Sequence, residues 1–88
     1  DPADADDWDI LQFVDYEGTE AVLFAFAGRV PLFGRINMRG LQANVTYRAV
    51  RLNDEIVEEA TGGQLMDAGL DIELEADAGV LWHIERVS

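Results

Sequence analysis

Carboxylates are the main residues in this chain that could do chemistry. Eighteen aspartates and glutamates stand beside one histidine and no cysteine, and the only serine is the last residue, Ser88. Catalysis by a serine or cysteine nucleophile needs that residue beside a base, and the terminal Ser88 is the only such residue in the sequence. We therefore exclude nucleophilic catalysis of that kind. Paired carboxylates could hydrolyse a glycosidic bond, but pairs come close by chance on so acidic a surface.

Residues 70–75 alternate between apolar and acidic, which places Asp71, Glu73 and Glu75 on one face of a predicted strand. We interpret this face as solvated, and catalytic or calcium-binding roles remain as alternatives. The sequence has no EF-hand spacing, and a calcium site needs several converging oxygens.

The single histidine, His83, lies between Trp82 and Ile84 in the last predicted strand. We interpret it as a hydrogen-bonded or half-exposed strand residue, because no partner stands at a spacing typical of a metal site. We therefore predict no metal site and no cofactor. The aromatic residues Trp8, Tyr16, Tyr47 and Trp82 suit core or interface packing, or a platform for sugar rings.

Composition limits the partners of the chain. The formal net charge is −12, with six arginines and no lysine, which disfavours nucleic acid and anionic membranes. The acidity fits a salt-rich habitat or a GC-rich genome equally well. No apolar run approaches the ~20 residues of a membrane helix. The absence of cysteine fits a reducing compartment, and we expect a cytoplasmic protein.

The element that must organise the chain is the apolar run at residues 21–27, AVLFAFA. Its length and flanking turn residues favour a strand, and a strand apolar on both faces belongs inside a sheet that is covered above and below. Residues 8–14 form the preceding strand, so the two predict an antiparallel hairpin. Further strands are predicted at residues 35–39, 45–52, 55–59, 70–75 and 80–87, with one helical turn or an irregular corner at residues 64–70.

Turn signals every 8–12 residues are typical of a sandwich. The sequence therefore predicts an all-β domain, a small antiparallel β-sandwich of about seven or eight strands. Residues 1–7 form an acidic lead-in, and residues 8–88 form the single domain. The apolar residues 28–34, bounded by glycines, are predicted as a loop.

Several short motifs occur in a recognisable order. Residues 62–74, GGQLMDAGLDIEL, resemble the closing segment of glycoside hydrolase family 36, the α-galactosidases. Residues 8–14 and 20–26 are similar to the first two strands that follow the catalytic barrel of that family. Arg39-Gly40-Leu41 and, six residues on, Tyr47-Arg48 resemble another family passage. The Asp-Pro usual after that leucine is replaced here by Gln42-Ala43.

The resemblance covers residues 8–87 and implies a C-terminal antiparallel β domain of a retaining α-galactosidase. The catalytic aspartates of the family lie on the barrel, so none has a counterpart in this chain. We therefore expect a non-catalytic accessory domain that packs against the catalytic barrel. The alternatives are a carbohydrate-binding module that uses surface aromatics and a sandwich that only mediates protein contacts.

The expected docking face is the meeting point of residues 30–33 with the first or last strand. The candidate docking or sugar-platform residues are Trp8, Tyr16, Leu32, Phe33 and Trp82. A loop this apolar either closes an open end of its own core or leaves Leu32 and Phe33 for a neighbouring domain.

Overall fold

Strands dominate the computed structural model, which describes residues 9–87. The elements in chain order are β1 (Asp9–Val14), β2 (Glu20–Phe26), β3 (Leu32–Ile36), β4 (Thr46–Arg51), β5 (Ile56–Thr61), α1 (Gly62–Asp67), β6 (Leu70–Leu74) and β7 (Gly79–Arg86). All strand pairs are antiparallel, which confirms the predicted all-β fold. The lead-in and Trp8 lie outside the described residues.

The strands form two sheets of unequal width. The large sheet has the order β1-β2-β7-β4-β5, and the small sheet pairs β3 with β6. The predicted β1–β2 hairpin is confirmed, and β2 lies inside the large sheet between β1 and β7. The acidic strand β5 lies at a sheet edge, where charged residues hinder pairing with other chains.

One hydrophobic core joins the two sheets. The large sheet contributes Leu23, Tyr47, Trp82 and Ile84, and each is at most 1% exposed. The small sheet contributes alternate residues of β6, confirming the predicted inward side of that strand.

The predicted cover on both faces of β2 is wrong. Leu23 is fully buried between the sheets, whereas Val22, Phe24 and Phe26 are only partly buried on the opposite face. The small sheet has two strands and covers only one face of the large sheet. The described residues therefore leave the other apolar face of β2 open.

The strand predicted at residues 35–39 is displaced towards the N-terminus and is β3, Leu32–Ile36, whereas the other strand boundaries differ by one or two residues. The segment predicted as a loop at residues 28–34 contains the start of β3 at Leu32, because Leu32 packs into the core opposite Leu74. Of the two alternatives at residues 64–70, a helical turn or an irregular corner, the structure has the helix, which begins earlier, at Gly62. Thr61 caps it by accepting a 3.1 Å hydrogen bond from the Gln64 backbone N–H. Within residues 9–87, no helix is long and apolar enough to cross a membrane.

The recognised motif residues form close backbone contacts. A side chain at Gly62 would approach the Gln42 carbonyl oxygen to 2.1 Å, so only glycine fits there. The buried Tyr47 hydroxyl accepts a 2.9 Å hydrogen bond from the Gln42 N–H and donates to the Gly18 carbonyl. This hydroxyl thus ties the turn before β2 to the loop before β4.

Burial on the two sides of β2 gives a direct stability test. Leu23→Ala removes a fully buried side chain and should cost about 2–5 kcal/mol of unfolding free energy. Phe24→Ala removes a larger but partly exposed side chain and should cost less. Urea unfolding followed by far-UV circular dichroism measures both. Equal losses would mean that the open face is as well covered as the core.

Candidate docking surface

The large sheet has one face turned away from the small sheet, here called the outer face. Its apolar side chains lie opposite one another in the strand registers. They are Leu11, Phe13, Val22, Phe24, Phe26, Val50, Val57 and Leu81.

These side chains form a continuous apolar surface across the sheet. In one row, Phe13 lies opposite Val22, Val22 opposite His83, and Val50 links His83 to Val57. This row spans every strand of the large sheet. His83 is the one residue of the row that is not apolar. Side chains directly opposite on an antiparallel pair are in contact range.

The outer face is open to solvent within residues 9–87. Phe13 is 64% exposed, Val57 is 52% exposed and Leu11 is 51% exposed, whereas their neighbours on inner strands are partly buried. Contiguous exposed apolar surface of this kind marks interaction sites. The outer face is therefore the candidate docking surface.

A charged row borders this apolar surface. Glu20 lies opposite Glu85, Glu85 opposite Arg48, and Arg48 opposite Glu59. Arg48 donates to Glu59 at 3.3 Å, and Glu20 contacts the Nε2 atom of His83 at 2.6 Å. His83 is thus a hydrogen-bonded, half-exposed strand residue, as predicted.

The turn before β2 fixes the position of Glu20. The Asp15 carboxylate accepts hydrogen bonds from the Thr19 hydroxyl, from the Thr19 N–H at 2.7 Å and from the Glu20 N–H at 3.2 Å. These bonds, the Thr19 hydroxyl first, lower the pKa of the Asp15 carboxyl. The anionic form of Asp15 therefore anchors the first residue of β2.

The structure places the predicted docking or sugar-platform residues on different parts of the molecule. Leu32 and Trp82 lie in the core, with exposures of 2% and 1%. Phe33 is 64% exposed on the outer side of the small sheet, and Tyr16 is fully exposed in the β1–β2 turn. Trp8 lies outside the described residues.

Trp82 lines a cleft of about 220 Å³ between the end of β4 and the edge of β6. Its Nε1 atom is buried and has no hydrogen-bond partner within residues 9–87. The Arg51 guanidinium lies 5.7 Å from the Trp82 ring centroid. Arg51 also pairs with Asp54 at 2.8 Å, and this hydrogen bond lowers the pKa of the Asp54 carboxyl.

A wider groove of about 750 Å³ lies on the opposite open edge, between β1 and the segment that follows β3. Gln12 bridges it, because its amide nitrogen donates to the Asn37 carbonyl at 2.9 Å. Its amide oxygen accepts from the Arg39 N–H at 3.2 Å. These bonds link β1 to the segment that carries Arg39-Gly40-Leu41 and hold that segment in place.

The carboxylates of the described chain are all solvent-exposed. Every aspartate and glutamate within residues 9–87 is exposed, including Asp71, Glu73 and Glu75 of the predicted solvated face. A catalytic carboxylate pair needs environments that separate the two pKa values, usually through burial of one acid. Solvent-exposed carboxylates lack that environment.

The geometry defines a small antiparallel β-sandwich with an open apolar sheet face. A family model described as the glycosyl hydrolase family 36 C-terminal domain matches residues 8–84. The chain therefore belongs to this family of domains, in agreement with the resemblance found in its motifs. A comparison with curated proteins found no matching sequence.

Two solved structures share the fold. The galactosidase domain of alpha-galactosidase-sucrose kinase, AgaSK, matches with a TM-score of 0.73 and 16% identity, over 93% of this chain. The α-galactosidase from Lactobacillus brevis matches with a TM-score of 0.74 and 18% identity, also over 93% of this chain. The chain spans 12% of the length of each.

The outer face differs from the docking face predicted at residues 30–33, although the sequence contains a signal for it. Residues 21–27 are apolar on both sides of the strand, and Leu11 and Phe13 lie on the same side of the neighbouring strand as Val22 and Phe24. A chain of 88 residues has too few remaining strands to cover both faces of such a sheet. An uncovered apolar face is the consequence.

The outer face should bind apolar probes in solution. Phe13→Glu places a charge at the most exposed large apolar side chain of this face and should lower the fluorescence of bound anilinonaphthalene sulfonate. Phe33→Glu makes the same change at equal exposure on the small sheet and is the matched control. A greater loss of signal for Phe33→Glu would place the main apolar patch on the small sheet instead.

Proposed function

We propose that this chain is the non-catalytic accessory domain of an α-galactosidase-like glycoside hydrolase, and that its outer face packs against the catalytic barrel. The observation that carries the proposal is the open apolar face of a sheet in a domain of family 36. A domain of this family is one part of a longer enzyme, and this chain corresponds to 12% of the matched structures.

The nature of the outer face supports a permanent intramolecular interface. Its centre is apolar and carries aromatic side chains, which contribute strongly to interface energies. Its border is a charged row from Glu20 to Glu59, which suits the polar rim of an interface. The strand β2 is apolar on both faces, and the small sheet covers only one of them. A barrel that packs against the outer face would bury the other.

The chemistry of the carboxylates supports a non-catalytic role. Retaining glycosidases use one carboxylate as nucleophile and another as acid and base, held about 5 Å apart. The described carboxylates of this chain are exposed and none is held in a dry site. We therefore assign the hydrolysis to the barrel.

The absence of cysteine supports a cytoplasmic location for the enzyme.

The test uses the longer enzyme that carries this domain. Phe13→Asp should weaken docking by about 2 kcal/mol or more, as expected for an aromatic interface anchor, and should lower the temperature at which α-galactosidase activity is lost. Phe33→Asp should leave that temperature unchanged. The isolated chain should release no product from a chromogenic α-galactoside.

Each contrary result has a defined meaning. If Phe33→Asp alone lowers the inactivation temperature, docking occurs through the predicted loop at residues 30–33, where Val30 and Phe33 are exposed. If neither variant has an effect, the outer face does not dock on the barrel. Turnover by the isolated chain that disappears with one carboxylate would overturn the non-catalytic role.

Carbohydrate binding is a second candidate function, favoured by the cleft beside Trp82. A sugar hydroxyl could accept from Arg51 and donate to Asp54, whose side chains both line the same cleft. Titration of the chain with galactose, followed through the indole N–H resonances, tests this function. Unchanged resonances at saturating sugar would exclude it, whatever the outcome for docking.

A further inference from the structure

We propose that Glu20, His83 and Glu85 form a binding site for a divalent first-row transition metal ion, with zinc the best match. The site lies on the outer face where β2 pairs with β7. It goes beyond the docking role and does not depend on it, since its ligands all come from this chain.

The ligand atoms of the three residues already converge. His83 Nε2 lies 2.6 Å from a carboxylate oxygen of Glu20, and one ligand atom of each residue lies within 4.8 Å of the others. Ligand atoms around a tetrahedral zinc ion stand about 3.4 Å apart, given bond lengths of roughly 2.0–2.2 Å. Small side-chain rotations would therefore complete the site.

The strand register holds these residues together. Glu20 and Glu85 are directly opposite one another, and His83 shares their face two residues along β7. Both strands lie inside the large sheet, and Asp15 accepts a hydrogen bond from the Glu20 N–H. Rigid strands hold ligand positions more accurately than loops do.

The charges at this position favour a bound cation. Like charges directly opposite on paired strands repel, and Glu20 and Glu85 stand in that arrangement. Arg48, the cross-strand neighbour of Glu85, pairs instead with Glu59 at 3.3 Å. Glu85 forms no ion pair within the described part of the chain. A divalent ion would relieve this repulsion, and the net charge of −12 attracts cations to the surface.

The type of ligand selects the metal. An imidazole nitrogen with carboxylate oxygens suits zinc and its first-row neighbours, whereas magnesium prefers oxygen ligands alone. The side chains of His83 and Glu20 are 34% and 56% exposed, so solvent or a partner group can complete the coordination. No local sequence pattern indicates this site, because Glu20 and His83 are 63 residues apart.

The single histidine makes the test unambiguous. The chain without a polyhistidine tag is titrated with zinc chloride, and the imidazole resonances of His83 are followed by NMR while calorimetry gives the affinity. We expect one zinc ion per chain and a shift of the His83 resonances, with no shift on addition of magnesium. Removal of a residue that only hydrogen-bonds to a metal ligand weakens metal binding 10–100-fold. Glu85→Gln changes a ligand itself, so we expect the affinity for zinc to fall at least about tenfold.

Glu73→Gln is the matched control, because it removes the same charge from the outer side of the small sheet. It should leave the affinity for zinc unchanged. The proposal is overturned if excess zinc leaves the His83 resonances unshifted in the unmodified chain. It is also overturned if Glu85→Gln and Glu73→Gln weaken binding equally, because zinc would then only be attracted to the acidic surface.

Discussion

The unequal width of the two sheets is the constraint on which the rest of the structure depends. The small sheet buries one face of the large sheet and cannot reach the other. Leu23, Trp82 and Ile84 therefore stabilise the fold, while Phe13, Phe24 and their neighbours remain on an open apolar surface. Residues 9–87 thus bury one face of the large sheet and leave the other face exposed.

This division separates the stabilising residues of the chain from those available for interaction. Tyr47, buried in the core, ties the turn before β2 to the loop before β4 through its hydroxyl. The outer face instead combines an apolar centre with a charged border around Glu20 and Glu85. Docking and metal binding would both use this face, whereas the cleft beside Trp82 lies between the sheets at their edge.

The local pattern of the sequence predicted most of the fold. Alternation at residues 70–75 identified β6 and its inward side, and the apolar run at residues 21–27 identified an interior strand. Leu32 was harder to place, because a proline and two glycines around it are typical of a loop while its burial depends on the distant Leu74. The cluster at His83 depends on strand order and register, which no local pattern contains.

The most direct measurement of the docking claim uses the absence of cysteine from this chain. Phe13→Cys and Glu73→Cys are each introduced into the isolated chain and into the longer enzyme, with any cysteines of the remaining enzyme replaced. The rate of reaction with a thiol reagent is then compared. We predict that Phe13→Cys reacts rapidly in the isolated chain and is protected in the enzyme, while Glu73→Cys reacts at the same rate in both. Equal reactivity of Phe13→Cys in the two contexts would contradict docking through the outer face.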